Sequence, residues 1–176
     1  MKSNIFKSKI LLIIIITIIL STLFISLKTI IDRPKDKEVL SIFIPSLNVD
    51  TSFFENLDIG VIKDVKIYTI SETDDIFETY LQTVGFINCD MLILSNEILN
   101  RGNVGNTLYE ISNINGLEYF DVVDVHYGIL VNQLFKEKIN FSTDTNYYLV
   151  FNKSKNNNKD YSLLESIFKE YKKALE

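Results

Sequence analysis

Three kinds of hydrophobic pattern alternate along the chain. The first is an unbroken apolar run over residues 10–27, ILLIIIITIILSTLFISL, with no charged residue in it. As a helix it is about 27 Å long at about 1.5 Å per residue, against a hydrocarbon layer about 30 Å thick, and residues 28–31 add the missing turn. Its Ile, Leu and Phe side chains give an insertion free energy of order −5 kcal/mol or better. That is ample against four Ser/Thr hydroxyls, which bond back to the helix's own carbonyls. The run predicts one transmembrane helix over residues 10–31, with the lipid bilayer as its partner.

After residue 38 the pattern breaks into short blocks. Residues 39–44 (VLSIFI), 65–70 (VKIYTI), 91–94 (MLIL) and 147–152 (YYLVFN) are apolar runs bounded by polar or turn residues. All four read as strands, VLSIFI as a buried one and MLIL as a central one with helices on both faces. The third pattern is helical. Ile76, Phe77, Tyr80, Leu81 and Val84 recur at one-face spacing, opened by Ser71 with Asp74 and stopped at Gly85. Ser52 with Glu55 predicts a short capped helix carrying Phe53, Phe54 and Leu57, and Ser95 predicts a further cap. Leu108 with Ile111 suggests a short helix after the loop at 100–106, and residues 117–131 (LEYFDVVDVHYGILV) are β-rich but interrupted by Gly128. Ser162 with Glu165 caps a last helix, in which Leu163, Leu164, Ile167, Phe168, Tyr171, Ala174 and Leu175 form one apolar face.

The order strand, helix, strand, helix, strand, with crossovers long enough for right-handed βαβ units, predicts an α/β fold. The expected architecture is one three-layer domain with a mostly parallel, mixed-edge sheet, preceded by the transmembrane helix. Its divisions are a basic tail at 1–9, the anchor at 10–31, a charged linker at 32–38 (DRPKDKE) and the α/β domain at 39–176. A domain of about 140 residues is the commonest size for a single core.

Two features bear on whether the apolar run is removed. A signal-peptide cleavage site needs small residues just after the run, and here Leu27 is followed by Lys28, Thr29, Ile30 and Ile31, the lone alanine being Ala174. The sole cysteine, Cys89, lies far from the place a lipoprotein cysteine would occupy. The anchor is therefore expected to stay attached. Charge then separates the two regions: residues 1–37 hold seven basic and two acidic residues, net +5, and residues 38–176 hold eleven and twenty-one, net −10. An acidic domain argues against nucleic acid as a partner and against lying on anionic lipid, because both need a cationic face.

The stretches VLSIFIPSLN, CDMLILSNEIL, YGILVN and YYLVFNKSKNNN, the last followed by the amphipathic helix YSLLESIFKEYKKAL, resemble bacterial extracellular solute-binding proteins of the two-lobed, periplasmic-binding type. The likeness spans residues 39–176. It implies a binding role without catalysis, a cell-membrane location for the anchored chain, and a domain on the extracytoplasmic side. Positive charges on the two flanks of the anchor are nearly tied, so orientation leans on the resemblance, with a cytosolic domain as the alternative. One departure is large. Family members trap solute between two lobes, whereas here residues 132–146 alone separate YGI from the returning strand. A second lobe does not fit there, so weak binding is expected of any small-molecule solute.

In an open parallel sheet ligands collect outside the carboxyl ends of the strands, which places Ser46, Asn48, Ser71, Ser95 and Asn96 along one rim as candidate ligand-binding residues. The YGI segment of the resemblance adds Tyr127. The competing reading makes Ser71 and Ser95 helix caps and Ser46 and Asn48 turn residues. Asp124 and His126, two apart, share a strand face that Asp121 or Glu118 could approach, but one histidine falls short of a metal-ligand set. Cys89 stands beside Asp90, an anion that disfavours the thiolate. Glu72, Asp74 and Asp75 read as carboxylates at a helix N-terminus. No cofactor motif is present, and the chain reads as non-enzymatic. The alternative function is an assembly protein that recruits a membrane partner through its α/β domain.

Overall fold

Alternation within the short apolar blocks decides which face each side chain serves. The computed structural model describes residues 15–26, 28, 35, 38–56, 60–114, 116–153 and 161–175. They fall into two units, residues 1–35 and 36–176. In the second unit β1 (Val39–Ile44) pairs in parallel with β2 (Asp64–Thr69) on one side and β3 (Met91–Ser95) on the other. Three more strands complete the sheet: β4 (Tyr119–Val122), β5 (Val125–Leu130) and β6 (Tyr147–Phe151). The order is β2-β1-β3-β6-β5-β4.

The α/β class holds, but the expectation of a mostly parallel sheet is corrected. The β3–β6, β6–β5 and β5–β4 pairings are all antiparallel, against two parallel ones. The cause lies in the connections. A parallel return needs a long crossover, usually helical. β4 and β5 are joined through Val123 and Asp124 alone, both at positive φ (50° and 63°), the geometry of a two-residue hairpin turn. Residues 131–146 between β5 and β6 form turns and an isolated bridge rather than a helix. A bulge within this hairpin shifts the register between Phe120 and Asp121, and Gly128 lies beyond it. A Cβ on Gly128 would meet Tyr148 Cβ at 2.9 Å and Val150 Cγ1 at 3.1 Å, so only glycine lets β5 approach β6.

Leu40, Ile42 and Ile44 of β1, Met91 and Ile93 of β3, and Leu149 and Phe151 of β6 point into one core. Phe43, Leu92, Leu94 and Val150 point into the other. Strand order 2-1-3 with right-handed crossovers puts successive helices on opposite faces. Accordingly α1 (Thr51–Glu55) sends Phe54 into the first core, while α2 (Phe77–Tyr80) sends Phe77 into the second. α6 (Tyr161–Leu175) covers the first core with Ile167, Phe168 and Tyr171. Phe54 meets Tyr171 at 5.4 Å and Phe135 at 5.5 Å between ring centroids, and each such pair adds about 0.5–1.5 kcal/mol beyond its buried area.

Several local expectations change for identifiable reasons. Asp50, not Ser52, caps α1, its carboxylate accepting the Phe53 N–H at 3.3 Å. Hydrogen bonds from Ser52 and Lys138 hold the Asp50 carboxyl below its usual range. Gly85 does not stop the second helix. α2 continues through a π-helical turn (Leu81–Gly85) into α3 (Phe86–Asn88), and Gly85 is there because a Cβ would fall 2.9 Å from Leu81 Cδ1. α4 (Asn96–Arg101) is followed by α5 (Val104–Thr107), and Leu108 leaves the helix to bridge Asn152. Glu165 Oε1 accepts the Ser112 N–H at 2.9 Å, and the side chain of Ser162, its expected capping partner, lies outside the described residues.

The amino-terminal end of the parallel strands is closed by a buried polar knot. Asp90 Oδ2 accepts the Ser41 N–H at 2.8 Å and the Ser41 hydroxyl at 2.6 Å. Asp90 N–H donates back to the Ser41 carbonyl at 2.8 Å. Asn152 donates through Nδ2 to the Phe86 and Cys89 carbonyls, both at 2.8 Å, and its N–H donates to the Asp90 carbonyl at 2.9 Å. All three side chains are at most 1% exposed. β1, β3 and the end of β6 are thereby tied through groups that water does not reach.

In the first unit residues 15–26 are helical and every one is exposed, Phe24 at 71% and Leu20 at 61%. The hydroxyls of Ser21, Thr22 and Ser26 donate to the carbonyls of Thr17, Ile19 and Thr22 at 2.8–2.9 Å. Among the described residues no helix is long and apolar enough to cross a membrane. The tail at 1–9, both ends of the 10–31 run, most of the linker and residues 154–160 lie outside the described residues, as do the side chains of Leu163, Leu164 and Leu175.

Candidate functional site

The carboxyl ends of β1, β2 and β3 open onto a cleft of about 500 Å³. It lies where the strand order reverses on either side of β1, the place open α/β sheets leave for ligands. Each strand delivers its wall through the loop that follows. Ser46 and Asn48 come after β1, Ser71, Glu72 and Thr73 after β2, and Ser95 ends β3 with Glu97 and Arg101 behind it on α4. The fourth wall is the segment between β5 and β6, which contributes Asn140, Ser142 and Thr145, with Tyr147 at the start of β6.

Four expected residues, Ser46, Asn48, Ser71 and Ser95, line this cleft. Two do not. Asn96 turns into α4, its N–H donating to the Asn146 carbonyl at 2.9 Å. Tyr127 is 8% exposed in the second core, its hydroxyl facing Gly105, because the hairpin bulge turns it inward. The hydroxyls that do reach the wall are engaged locally. Ser46 Oγ donates to the Asn140 carbonyl at 3.0 Å, and Ser71 Oγ and Thr73 Oγ1 share a hydrogen bond of 2.8 Å. Ser95 stands at the N-cap of α4 with extended backbone and no capping bond from its side chain.

The charged groups form the more informative part of the wall. Glu72 is not a helix-start carboxylate; it sits in the turn before α2 and accepts the Tyr147 hydroxyl at 2.6 Å through Oε2. Its Oε1 is buried with no hydrogen-bond partner among the described residues. Burial first, and then the Glu72 carboxylate, push the Tyr147 hydroxyl well above the usual phenol range. Asn132 positions this pair: its Oδ1 accepts the Tyr147 N–H at 2.6 Å, and its Nδ2 donates to the Thr145 carbonyl at 2.8 Å. The Tyr147 ring stacks on Phe141 at 4.6 Å. At the mouth Arg101 is shared between Glu78 and Glu97, 3.5 Å from each. These are exposed contacts, of the kind worth under about 1 kcal/mol each.

Sequence reasoning missed Glu72, Tyr147, Arg101 and the whole of the fourth wall. The β-strand pattern of YYLVFN gives no reason to treat its first tyrosine as a site residue. A polar cluster at 140–146 directly before a strand was the available signal, since it must lie over one end of the sheet. Elsewhere, His126 Nδ1 stands 2.6 Å from Asp121 Oδ1 and its ring stacks on Tyr119 at 4.2 Å, while Asp124 is taken up by the hairpin turn. Among the described residues no group of three or more His, Cys, Asp or Glu side chains is placed to hold a metal ion. Cys89 is fully buried, its thiol 3.7 Å from the Val84 carbonyl.

Compared with known proteins, the chain matches no family model, no curated protein and no solved structure.

Proposed function

We propose that this chain is a single-pass membrane protein whose α/β domain binds a small solute weakly, without catalysis, in the cleft at the carboxyl ends of β1, β2 and β3. The domain is a reduced relative of one lobe of the solute-binding proteins, held beside the lipid by residues 10–31 and facing the envelope. The cleft carries this reading. It has a volume suited to a small ligand, a wall of hydroxyls, amides and carboxylates from four separate loops, and an open top. The anchor is supported by a charge-free run of eighteen residues and by apolar side chains exposed all round the helix at 15–26.

Location and orientation are tested together. Asn156→Cys, made in a Cys89→Ser background, puts one thiol in the polar segment after β6. The expected result is that the protein stays in the membrane pellet after alkaline carbonate washing and that an impermeant maleimide labels it in intact cells. Recovery in the soluble fraction overturns the anchor, and labelling only after lysis overturns the orientation.

A further inference from the structure

Resting on that binding reading, we propose that the cleft takes a small organic ammonium ion, with its charged nitrogen seated against Glu72. Three carboxylates, Glu72, Glu78 and Glu97, line the cleft against one cation, Arg101. Arg101 is shared between Glu78 and Glu97 in exposed 3.5 Å contacts, so its charge is already offset by two carboxylates before a ligand enters. An anion entering here meets a net negative wall.

Glu72 distinguishes a cationic ligand from a neutral one. Among the described residues one of its oxygens accepts from the Tyr147 hydroxyl and the other is buried with no donor. A buried acceptor left unpaired costs about 1–3 kcal/mol, and more when charged. An ammonium group carries three donors and a full positive charge, so one bond to Glu72 leaves two for neighbouring oxygens. Ser71 and Thr73 beside Glu72, and Ser142 on the fourth wall, line the cleft with hydroxyl oxygens able to accept. A polyol supplies donors but leaves the carboxylate's charge uncompensated. A bare divalent metal ion needs several converging hard ligands, and among the described residues no such group is placed to supply them.

The test uses three probes of matched length on the full chain in detergent micelles: 1,4-diaminobutane, 1,4-butanediol and succinate. Amide shifts in the nitrogen-15 spectrum are followed during each titration. The diamine is expected to move the amides of Ser71, Glu72, Thr73 and Tyr147 and to bind at least tenfold tighter than the diol, with succinate weaker still. Glu72→Gln is expected to remove that tenfold advantage, while Glu137→Gln, at an exposed carboxylate outside the cleft, keeps it. Equal affinity for diamine and diol, or preference for succinate, overturns the ammonium assignment and leaves the cleft as a binding site. If none of the three moves a cleft amide, both the assignment and the solute-binding reading fail. The probe series on the unmodified chain decides the matter even if the Glu72→Gln variant folds poorly.

Discussion

The two ends of the parallel strands use similar side chains to opposite effect. At the amino-terminal end Asp90 and Ser41 bond each other and Asn152 donates to the Phe86, Cys89 and Asp90 carbonyls, away from water. At the other end, about 17 Å along β3 at about 3.3 Å per residue, Glu72, Ser71 and Asn48 stand on an open cleft, and one Glu72 oxygen is unmatched. Residue type alone does not separate structure from binding here. Hydrogen-bond accounting does, because a matched buried carboxylate locks strands together, whereas an unmatched one stores a cost that a ligand's donor can relieve.

The largest expected effect lies at the closed end. Asp90→Ala strips the charged acceptor from the buried Ser41 N–H, while the Ser41 hydroxyl keeps the Asn88 carbonyl at 2.8 Å, and should cost about 2–4 kcal/mol, since an orphaned buried group costs about 1–3 kcal/mol and more where a charged partner is lost. Urea unfolding followed by near-ultraviolet circular dichroism would give a lower midpoint at unchanged slope. A loss below about 1 kcal/mol would break the contrast between the two ends. Asn152→Ala should cost less, about 1–3 kcal/mol, since it leaves two carbonyls without their side-chain donor and no buried charge.

Next comes alkaline pH. Tyr147 at the cleft and Tyr171 in the first core, whose hydroxyl donates to the Phe54 carbonyl at 2.9 Å, both have folded-state pKa values above the unfolded value of 10.0. Burial is the leading cause for each. A raised pKa contributes stability that is complete below pH 10 and is lost as pH climbs through the folded-state value. The thermal midpoint should therefore be flat just below pH 10 and fall above it. Tyr147→Phe should remove the cleft's share of that fall and leave the share of Tyr171. A midpoint that rises above pH 10 would contradict both assignments.

The smallest effect is expected at Glu72. Glu72→Gln keeps an acceptor for Tyr147 and removes a poorly compensated charge, so stability should stay within about 1 kcal/mol of the parent or rise. Urea titration of the two proteins side by side measures it, and a loss of several kcal/mol would make Glu72 structural, like Asp90.

The sequence carried the first half of the sheet more clearly than the second. VLSIFI, VKIYTI and MLIL are runs whose neighbours on both faces are apolar, and their helical partners lie between them in order, so strand type and direction follow from spacing. The second half depends on two residues at positive φ, Val123 and Asp124, in place of the Asn-Gly or Asp-Gly signal that a tight hairpin normally carries. The bulge beside Tyr127 also reverses which side chains face inward, and alternation cannot foresee that. At the site, the rim residues Ser46, Asn48, Ser71 and Ser95 follow from strand ends alone. Glu72 and Tyr147 do not, because they meet across 75 positions of sequence and only the antiparallel return of β6 brings them together.

Native-state hydrogen exchange tests the division between the two ends most directly. The amides of Ser41, Asp90 and Asn152 should exchange only through global unfolding, and those of Asn48 and Thr73, bonded to Ser46 and Ser71 hydroxyls at the cleft, through local opening at least a hundredfold faster. Equal protection at both ends, or slower exchange at the cleft, would contradict the account.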